Sequence, residues 1–475
     1  MSGGFEPAAY DRLMTSIEMI PDVVDRVRRG HESGLLRERA SRISQLRQMR
    51  RMLLDEEDRW LEVLRTDLGK PTTEAYVADI AFVVNEIDHA LANLDKWVKS
   101  RRVKMPLPLR PGTARVQPES LGTVCIIAPW NYPVQLLFGP LVPALAAGNS
   151  AVLKPSEVVP AVDELVEELV PRYLDERLVA VVNGGVAETS ALLEERFDHI
   201  LFTGNGSVAR IVMAAAAKHL TPVTLELGGK SPAIVTSDAD LTVAAKRIAW
   251  GKFLNAGQTC VAPDYVLVEG DVEDEFVDAL TDAITAFYGD DPEQSEHYAR
   301  IVDERHHDRL VGLLDAGGYD ATVAGGTGNR HSNYLAPTVL RGVKPEAPVM
   351  QEEIFGPILP IVSVGDIDEA IRFVNDRDKP LALYAFTSNE RTQEKIIAHT
   401  SSGAVTVNHA VIHPAVPELP FGGVGASGFG AYHGKTGFDL FSHDKGVVVK
   451  PTRPDPSVMY PPYANWKQRL TRRFA

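Results

Sequence analysis

Cys260 stands in the run NAGQTCVAPDY, just after Gly257, where a cysteine can serve as a nucleophile. A lone cysteine in a chain of this size is more often a small buried apolar group. A reactive thiol needs an accessible site rich in donors or positive charge, so that thiolate is favoured. The turn at Gly257, flanked by Asn255, Gln258 and Thr259, could supply those donors. Cys125, set among Val124, Ile126 and Ile127, reads as core.

Two further residues match what such a nucleophile requires. Glu226 closes an apolar run in TLELGGKSP, and Gly228 and Gly229 after it allow a ligand close to the backbone. A partly desolvated carboxylate has a raised pKa and can act as general base on water. A turn carboxylate or a helix N-cap partner accounts for Glu226 equally well. Asn131 in APWNYPV is held between aromatic and proline residues. It reads either as a turn cap or as a fixed amide donor for negative charge developing on oxygen.

A second group of residues points to a dinucleotide. FTGNGSVAR (202–210) follows an apolar run and opens a helical pattern, the context in which a glycine turn approaches pyrophosphate. Its glycines are Gly204 and Gly206, with Ala209 beyond, so it is not the G-x-G-x-x-G form. LKPSE (153–157) places Lys154 and Glu157 just past another apolar run, where they could hold ribose or phosphate. A surface lysine and a helix-start glutamate explain the pair as readily.

These residues must be positioned by regular elements. Apolar residues at three- and four-residue spacing predict helices from about residue 34 to 103, interrupted at Gly69–Pro71. The prolines of 105–122 forbid helix and suit an extended arm. Strands then read at 123–130, 150–157, 178–185 and 199–205, with helices at 158–174 and 187–196. That alternation predicts a doubly wound parallel sheet. A second α/β region runs from 221 to about 430, and FSHDKGVVVKPTRP reads as another extended arm.

The chain has 475 residues, 44% hydrophobic and 24% charged, enough to bury large cores without staples. Its formal charge of −15 argues against a broad nucleic-acid surface. The basic clusters, 467–473 among them, read as solvated faces. Two distant cysteines exclude a disulfide framework and fit a reducing compartment. No secretory signal is evident at the start, and no apolar run reaches membrane-span length. The expectation is a soluble cytoplasmic enzyme without a membrane or nucleic-acid partner.

Taken in order, APWNYP, LKPSE, FTGN, LELGGKSP, GQTCVAPDY, QEEIFGPILP and PFGGVGASGFG resemble the aldehyde dehydrogenase superfamily, over roughly residues 34–463. NEIDHAL, RFDHILFTGN, KPLALYAF and YHGKTGFDLFSHDKG look like its class 3 branch, which includes fatty-aldehyde and bacterial coniferyl-aldehyde dehydrogenases. The resemblance implies an aldehyde dehydrogenase fold of three parts. A Rossmann-like cofactor domain spans 1–103 and 121–226, and an α/β catalytic domain spans 227–430. A β-arm of 104–120 and 441–453 bridges subunits of a homodimer, and 454–475 forms a tail.

The resemblance also implies roles. Cys260 attacks the aldehyde, Asn131 and the Cys260 N–H hold the oxyanion, and hydride passes to nicotinamide. Glu226 activates the water that hydrolyses the thioester. Lys154 and Glu157 hold the adenosine ribose, Gly204 approaches pyrophosphate, and Glu353 and Phe355 position the nicotinamide ribose. No metal is called for. Gly206 and Ala209 depart from the Thr and Gly usual in the branch. The loop 408–420, with His409 and His413, differs from mammalian enzymes, and both histidines read as pocket-lining or packing residues.

The implied reaction is NAD(P)+-dependent oxidation of an aliphatic or aromatic aldehyde to the acid. NAD is favoured because Glu157 would repel a 2′-phosphate, with NADP possible. A CoA-acylating relative is the first alternative, which the water-activating role of Glu226 disfavours. A non-catalytic protein on the same fold is the second.

Overall fold

The computed structural model describes residues 14–474; residues 1–13, where the expected first domain begins, and 475 lie outside the described range. Helices fill the chain from Ile20 to Trp97: Ile20–Glu32, Arg39–Asp55, Glu57–Leu68 and Phe82–Trp97. Between the last two, Thr72–Ala75 runs into a π-helical stretch at Tyr76–Ala81. The helical region thus opens earlier than the expected residue 34. Ile20, Val24 and Val27 form a buried stripe in one apolar cluster with Cys125 and Val152. Gly69, with φ of 60°, ends its helix in the left-handed conformation that glycine adopts without strain.

The strands follow in chain order. β1 (Arg101–Val103) and β2 (Thr113–Ser120) come first, then β3 (Thr123–Ile127), β4 (Ser150–Lys154), β5 (Val179–Val181), β6 (His199–Thr203) and β7 (Val223–Glu226). β8 (Pro232–Val235), β9 (Tyr265–Glu269) and β10 (Ala321–Ala324) lead to the short β11 (Gly328–Asn329) and β12 (Tyr334–Leu335). β13 (Thr338–Arg341), β14 (Ile358–Val364), β15 (Ala382–Phe386), β16 (Ala404–Val407), β17 (Gly428–Phe429) and β18 (Ser442–Val449) complete the set. Several strands are shorter than their apolar runs. β3 stops before Pro129 and β4 before Pro155, since proline offers no N–H to a central ladder.

One sheet has the order β17-β7-β6-β3-β4-β5, parallel except for β17. Side chains alternate along β3: Val124 and Ile126 enter one cluster, Cys125 and Ile127 the other. Both faces are therefore covered, as a parallel sheet requires. The chain order reverses between β3 and β6, and ligands bind beyond the carboxyl ends of strands at such a point. A second sheet has the order β10-β13-β14-β9-β8-β15-β16, parallel except for β10. The Leu227–Ser231 link joins β7 to β8 and so one sheet to the other.

β1, β2 and β18 form a separate antiparallel sheet. It begins at Arg101, within the range expected of the first domain, because Arg101–Val103 pairs with Ala114–Val116. Leu107–Leu109 makes a 3₁₀ turn inside the segment expected to be extended. β17 belongs to the first sheet although it lies in the segment expected of the catalytic domain: Gly428 pairs with Glu226. Beyond the arm, Asn465–Phe474 is helical.

Candidate active site

The helix Leu241–Phe253 is followed by Asn255, Ala256 and Gly257, with φ of 51°, 52° and 75°. Two of these carry side chains, and each left-handed non-glycine residue costs about 1 kcal/mol or more. Surrounding groups hold the turn. Glu74 accepts from the Asn255 N–H at 2.7 Å. Asn255 Nδ2 donates to the carbonyls of Asn131 at 2.9 Å and Gln258 at 3.2 Å. Gln258 Nε2 donates to the carbonyls of Asn255 and Arg300, both at 2.9 Å, and its Oε1 accepts from Val302 N–H. A Cβ on Gly257 would lie 2.2 Å from the Gly356 carbonyl oxygen, so this contact requires glycine. Cys260 leaves the braced turn half-buried, between buried Thr259 and Val261.

Asn131, in the loop after β3, is buried and its Nδ2 donates to the Gln258 carbonyl at 3.0 Å. An amide nitrogen has two hydrogens, so one remains for another acceptor. Glu226 ends β7; it is 2% exposed and neither carboxylate oxygen has a hydrogen-bond partner. Burial raises its pKa well above the usual range. Burial, followed by the charges of Glu353 and Glu226, pushes the Cys260 thiol up to about 12, against the pull of the Cys260 and Val261 N–H groups. The donors of Asn255 and Gln258 are spent within the turn, and the side chains whose charge reaches the sulfur are acids. The thiol must therefore give its proton to a base before it attacks.

Glu353 precedes β14, and burial with neighbouring Asp264 pushes its carboxyl up to about 8, against Gly229 N–H, Lys230 and Lys252. A Cβ on Gly228 would stand 1.9 Å from Glu353 Oε2, so the glycine lets Glu353 approach the Glu226 loop. Phe355, with φ of 49°, sets its ring edge-on to Trp130 at 5.3 Å. Gly204 N–H donates to the Glu226 carbonyl at 3.0 Å. Lys154 Nζ is buried at the end of β4, donates to the Pro155 carbonyl at 2.6 Å and lies 3.6 Å from Glu157. Asn205 caps the helix Gly206–Ala217, accepting from Ser207 and Val208 N–H at 3.0 Å each. Those two donors are thus occupied by the protein itself.

The site lies where two sheets face each other. Asn131, Lys154, Gly204 and Glu226 follow or end β3, β4, β6 and β7 at their carboxyl ends. Cys260 and Glu353 lie shortly before the amino ends of β9 and β14, which are neighbours in the second sheet. The donor set suits a dinucleotide: a lysine and a carboxylate for ribose hydroxyls and a glycine turn at the switch point; beside it, the charge of an unpartnered buried carboxylate, Glu226, reaches the thiol.

The aldehyde dehydrogenase family profile matches residues 22–447. The chain belongs to the aldehyde dehydrogenase family. This aldehyde dehydrogenase is 49% identical to the dimeric NADP-preferring aldehyde dehydrogenase of Rattus norvegicus over 91% of its own length and 94% of the relative's. It is also 49% identical to aldehyde dehydrogenase family 3 member A2 of Mus musculus, over 93% and 91%. The substrate-bound Staphylococcus aureus AldH superposes with a TM-score of 0.93 at 42% identity, covering 96% of this chain and 99% of that one. The enzyme oxidises aldehydes to acids with NAD or NADP.

Sequence reasoning missed several groups around the site of this aldehyde dehydrogenase. Lys230 pairs with Asp264 and donates to the carbonyls of Val349 and Glu352, both at 2.9 Å. Asp264 accepts from Ile354 N–H at 3.1 Å. This pair ties together the loops that carry Glu226, Cys260 and Glu353. Both residues stand inside quoted motifs, but nothing in their spacing signals that they meet. His413 is buried, stacked on Phe421 and 6.4 Å from the Tyr384 ring. Tyr384 and Tyr432 both feel the charge of Cys260, so this aromatic group adjoins the thiol. His409 is half-buried and packs edge-on against Trp250 at 5.8 Å, a packing role. Among the described residues no group of three His, Cys, Asp or Glu could hold a metal ion.

Proposed function

We propose that Cys260 is the nucleophile of aldehyde oxidation, with Asn131 as oxyanion donor and Glu226 as the base for thioester hydrolysis. The single observation that carries this reading is the orphaned, buried Glu226 carboxylate whose charge reaches the Cys260 sulfur. The thiol yields its proton to solvent water, and sulfur bonds to the aldehyde carbon while the carbonyl π pair moves to oxygen. The new alkoxide takes hydrogen bonds from the second Asn131 amide hydrogen and the Cys260 N–H. Lys154, Glu157, Gly204, Glu353 and Phe355 would hold NAD(P)+, which would supply the hydride acceptor. Water deprotonated by Glu226 then attacks the thioester carbon, and the acid leaves with the thiol restored.

The aromatic group at Tyr384, Phe421 and Tyr432 supports an aliphatic or aromatic aldehyde, not a short charged one. The exposed outer strands of the arm, β1 and β18, and the dimeric rat relative support a homodimer bridged through β1, β2 and β18. The division into cofactor domain, catalytic domain and arm is part of the same reading, as is a cytoplasmic setting, which the two free cysteines support. No helix among the described residues is long and apolar enough to cross a membrane.

C260A is the direct test. The variant should lose aldehyde oxidation by at least about a thousandfold while keeping its melting temperature and NAD+ binding. Retained turnover in a folded C260A protein would remove Cys260 from the mechanism.

A further inference from the structure

We propose that Glu74 is a positioning residue for Cys260, acting through the left-handed turn that carries it. This rests on the assignment of Cys260 as nucleophile. Glu74 lies far away in sequence, in the helical turn Thr72–Ala75, yet its Oε1 takes the N–H of Asn255 at 2.7 Å. Asn255 is the first of three consecutive left-handed residues and has a side chain, so its backbone needs a partner that pins it.

From Asn255 the restraint runs on without a gap. Its Nδ2 reaches the carbonyls of Asn131 and Gln258, and Asn131 Nδ2 reaches the same Gln258 carbonyl. The placing of the oxyanion donor and of the peptide two residues before the thiol thus depends on Asn255. The far end of the turn is held from the same segment of chain. Lys70 Nζ lies 3.9 Å over the Tyr132 ring, whose hydroxyl is hydrogen-bonded to Thr259 Oγ1 at 2.7 Å. Lys70 is itself fixed by a fully buried pair with Asp79 at 2.6 Å. Residues 70–79 therefore grip the turn at Asn255 and at Thr259.

An anionic acceptor holds an N–H more strongly than a neutral one, so the grip weakens when Glu74 is protonated. Burial raises the Glu74 carboxyl to about 7, with Asp79 adding to the rise and Lys70 and the Asn255 N–H opposing it. The other titratable groups facing it are the phenols of Tyr132, Tyr288 and Tyr298, which stay neutral in this range. The restraint is then full above neutral pH and declines below it.

The test compares E74Q, which keeps an acceptor, with E74M, which keeps bulk but has none. C260A serves as control. Two readings are taken: the pre-steady-state burst of NADH, which reports acylation before water acts, and the rate of thiol alkylation by iodoacetamide. E74M should slow both about tenfold while the KM for NAD+ moves less than twofold. E74Q should restore both to within threefold at pH 8. The ratio of wild-type to E74Q burst rates should fall as pH is lowered from 8 to 6. If folded E74M keeps burst and alkylation within twofold of wild type while C260A abolishes both, Glu74 is structural only and the proposal fails. Equal loss in E74Q and E74M at pH 8 overturns it as well. If C260A itself remains active, the assignment of the nucleophile falls first and the proposal with it.

Discussion

The Cys260 thiol feels one buried carboxylate, Glu226, and one half-buried, Glu353, and their protonation decides what the site can do. Glu226 has no hydrogen-bond partner and a pKa held high by burial. Its folded value lies above that in the unfolded chain, roughly 4.3. Between these values the folded state binds the extra proton, so stability is lost as pH rises through the window. E226Q removes that penalty. Its melting temperature should exceed that of wild type above pH 7, with the difference closing toward pH 5, as scanning fluorimetry would read. The same variant should keep the NADH burst yet slow steady-state turnover by roughly 10²–10⁴-fold, the usual size of a lost general base. Glu157 is the residue on which the proposed cofactor preference rests. Its carboxylate is half-exposed and 3.6 Å from Lys154, so its repulsion of a 2′-phosphate is partly neutralised and screened. E157Q should raise kcat/KM for NADP+ relative to NAD+ several-fold; an unchanged ratio would remove Glu157 from cofactor choice.

The helix Pro133–Ala147 is the element on which the Asn131 loop depends. It begins with proline, contains Pro140 and Pro143, and is buried nearly all round. Its amino end is fixed by Asp79, whose Oδ1 accepts from Val134 and Gln135 N–H at 3.2 Å each while Oδ2 pairs with Lys70. D79A would leave the Lys70 ammonium buried and unpaired and the helix end uncapped. Breaking such a pair from one side costs about 3–5 kcal/mol. Urea unfolding should show a loss of that order, and a K70M/D79L double variant should recover much of it. No recovery would mean that the helix-end hydrogen bonds, not the ion pair, dominate.

Across the molecule, the carboxyl ends of one parallel sheet meet the amino ends of another, and the β7–β8 link and β17 tie the two together. The arm is the part most separate from both cores. β2 is its central strand, paired with β1 on one side and β18 on the other. Light scattering should give twice the chain mass of 51.9 kDa. V116P should shift the protein toward monomer, since proline at that position removes ladder hydrogen bonds from the central strand. A dimer untouched by V116P would place the subunit contact elsewhere.

The sequence by itself determined the family, the alternation of strands and helices, and the identities of the residues that meet at the site. Ordered motifs carry that information because each is a local run. It left out the helices Ile20–Glu32 and Pro133–Ala147; the second, apolar on all sides and carrying prolines, has no polar face for periodicity to detect. The surroundings of the Cys260 thiol were not legible from its neighbours in the chain. Asn255 and Gln258 looked like donors for the thiol, but folding commits them to the turn. Only the tertiary structure decided that Glu226 and Glu353 approach the sulfur, that Lys230 and Asp264 join three loops, and that Glu74 grips Asn255. These are contacts between distant segments, set by which strand ends converge. Cys260 could be named from its motif, but its environment existed only once the two sheets faced each other.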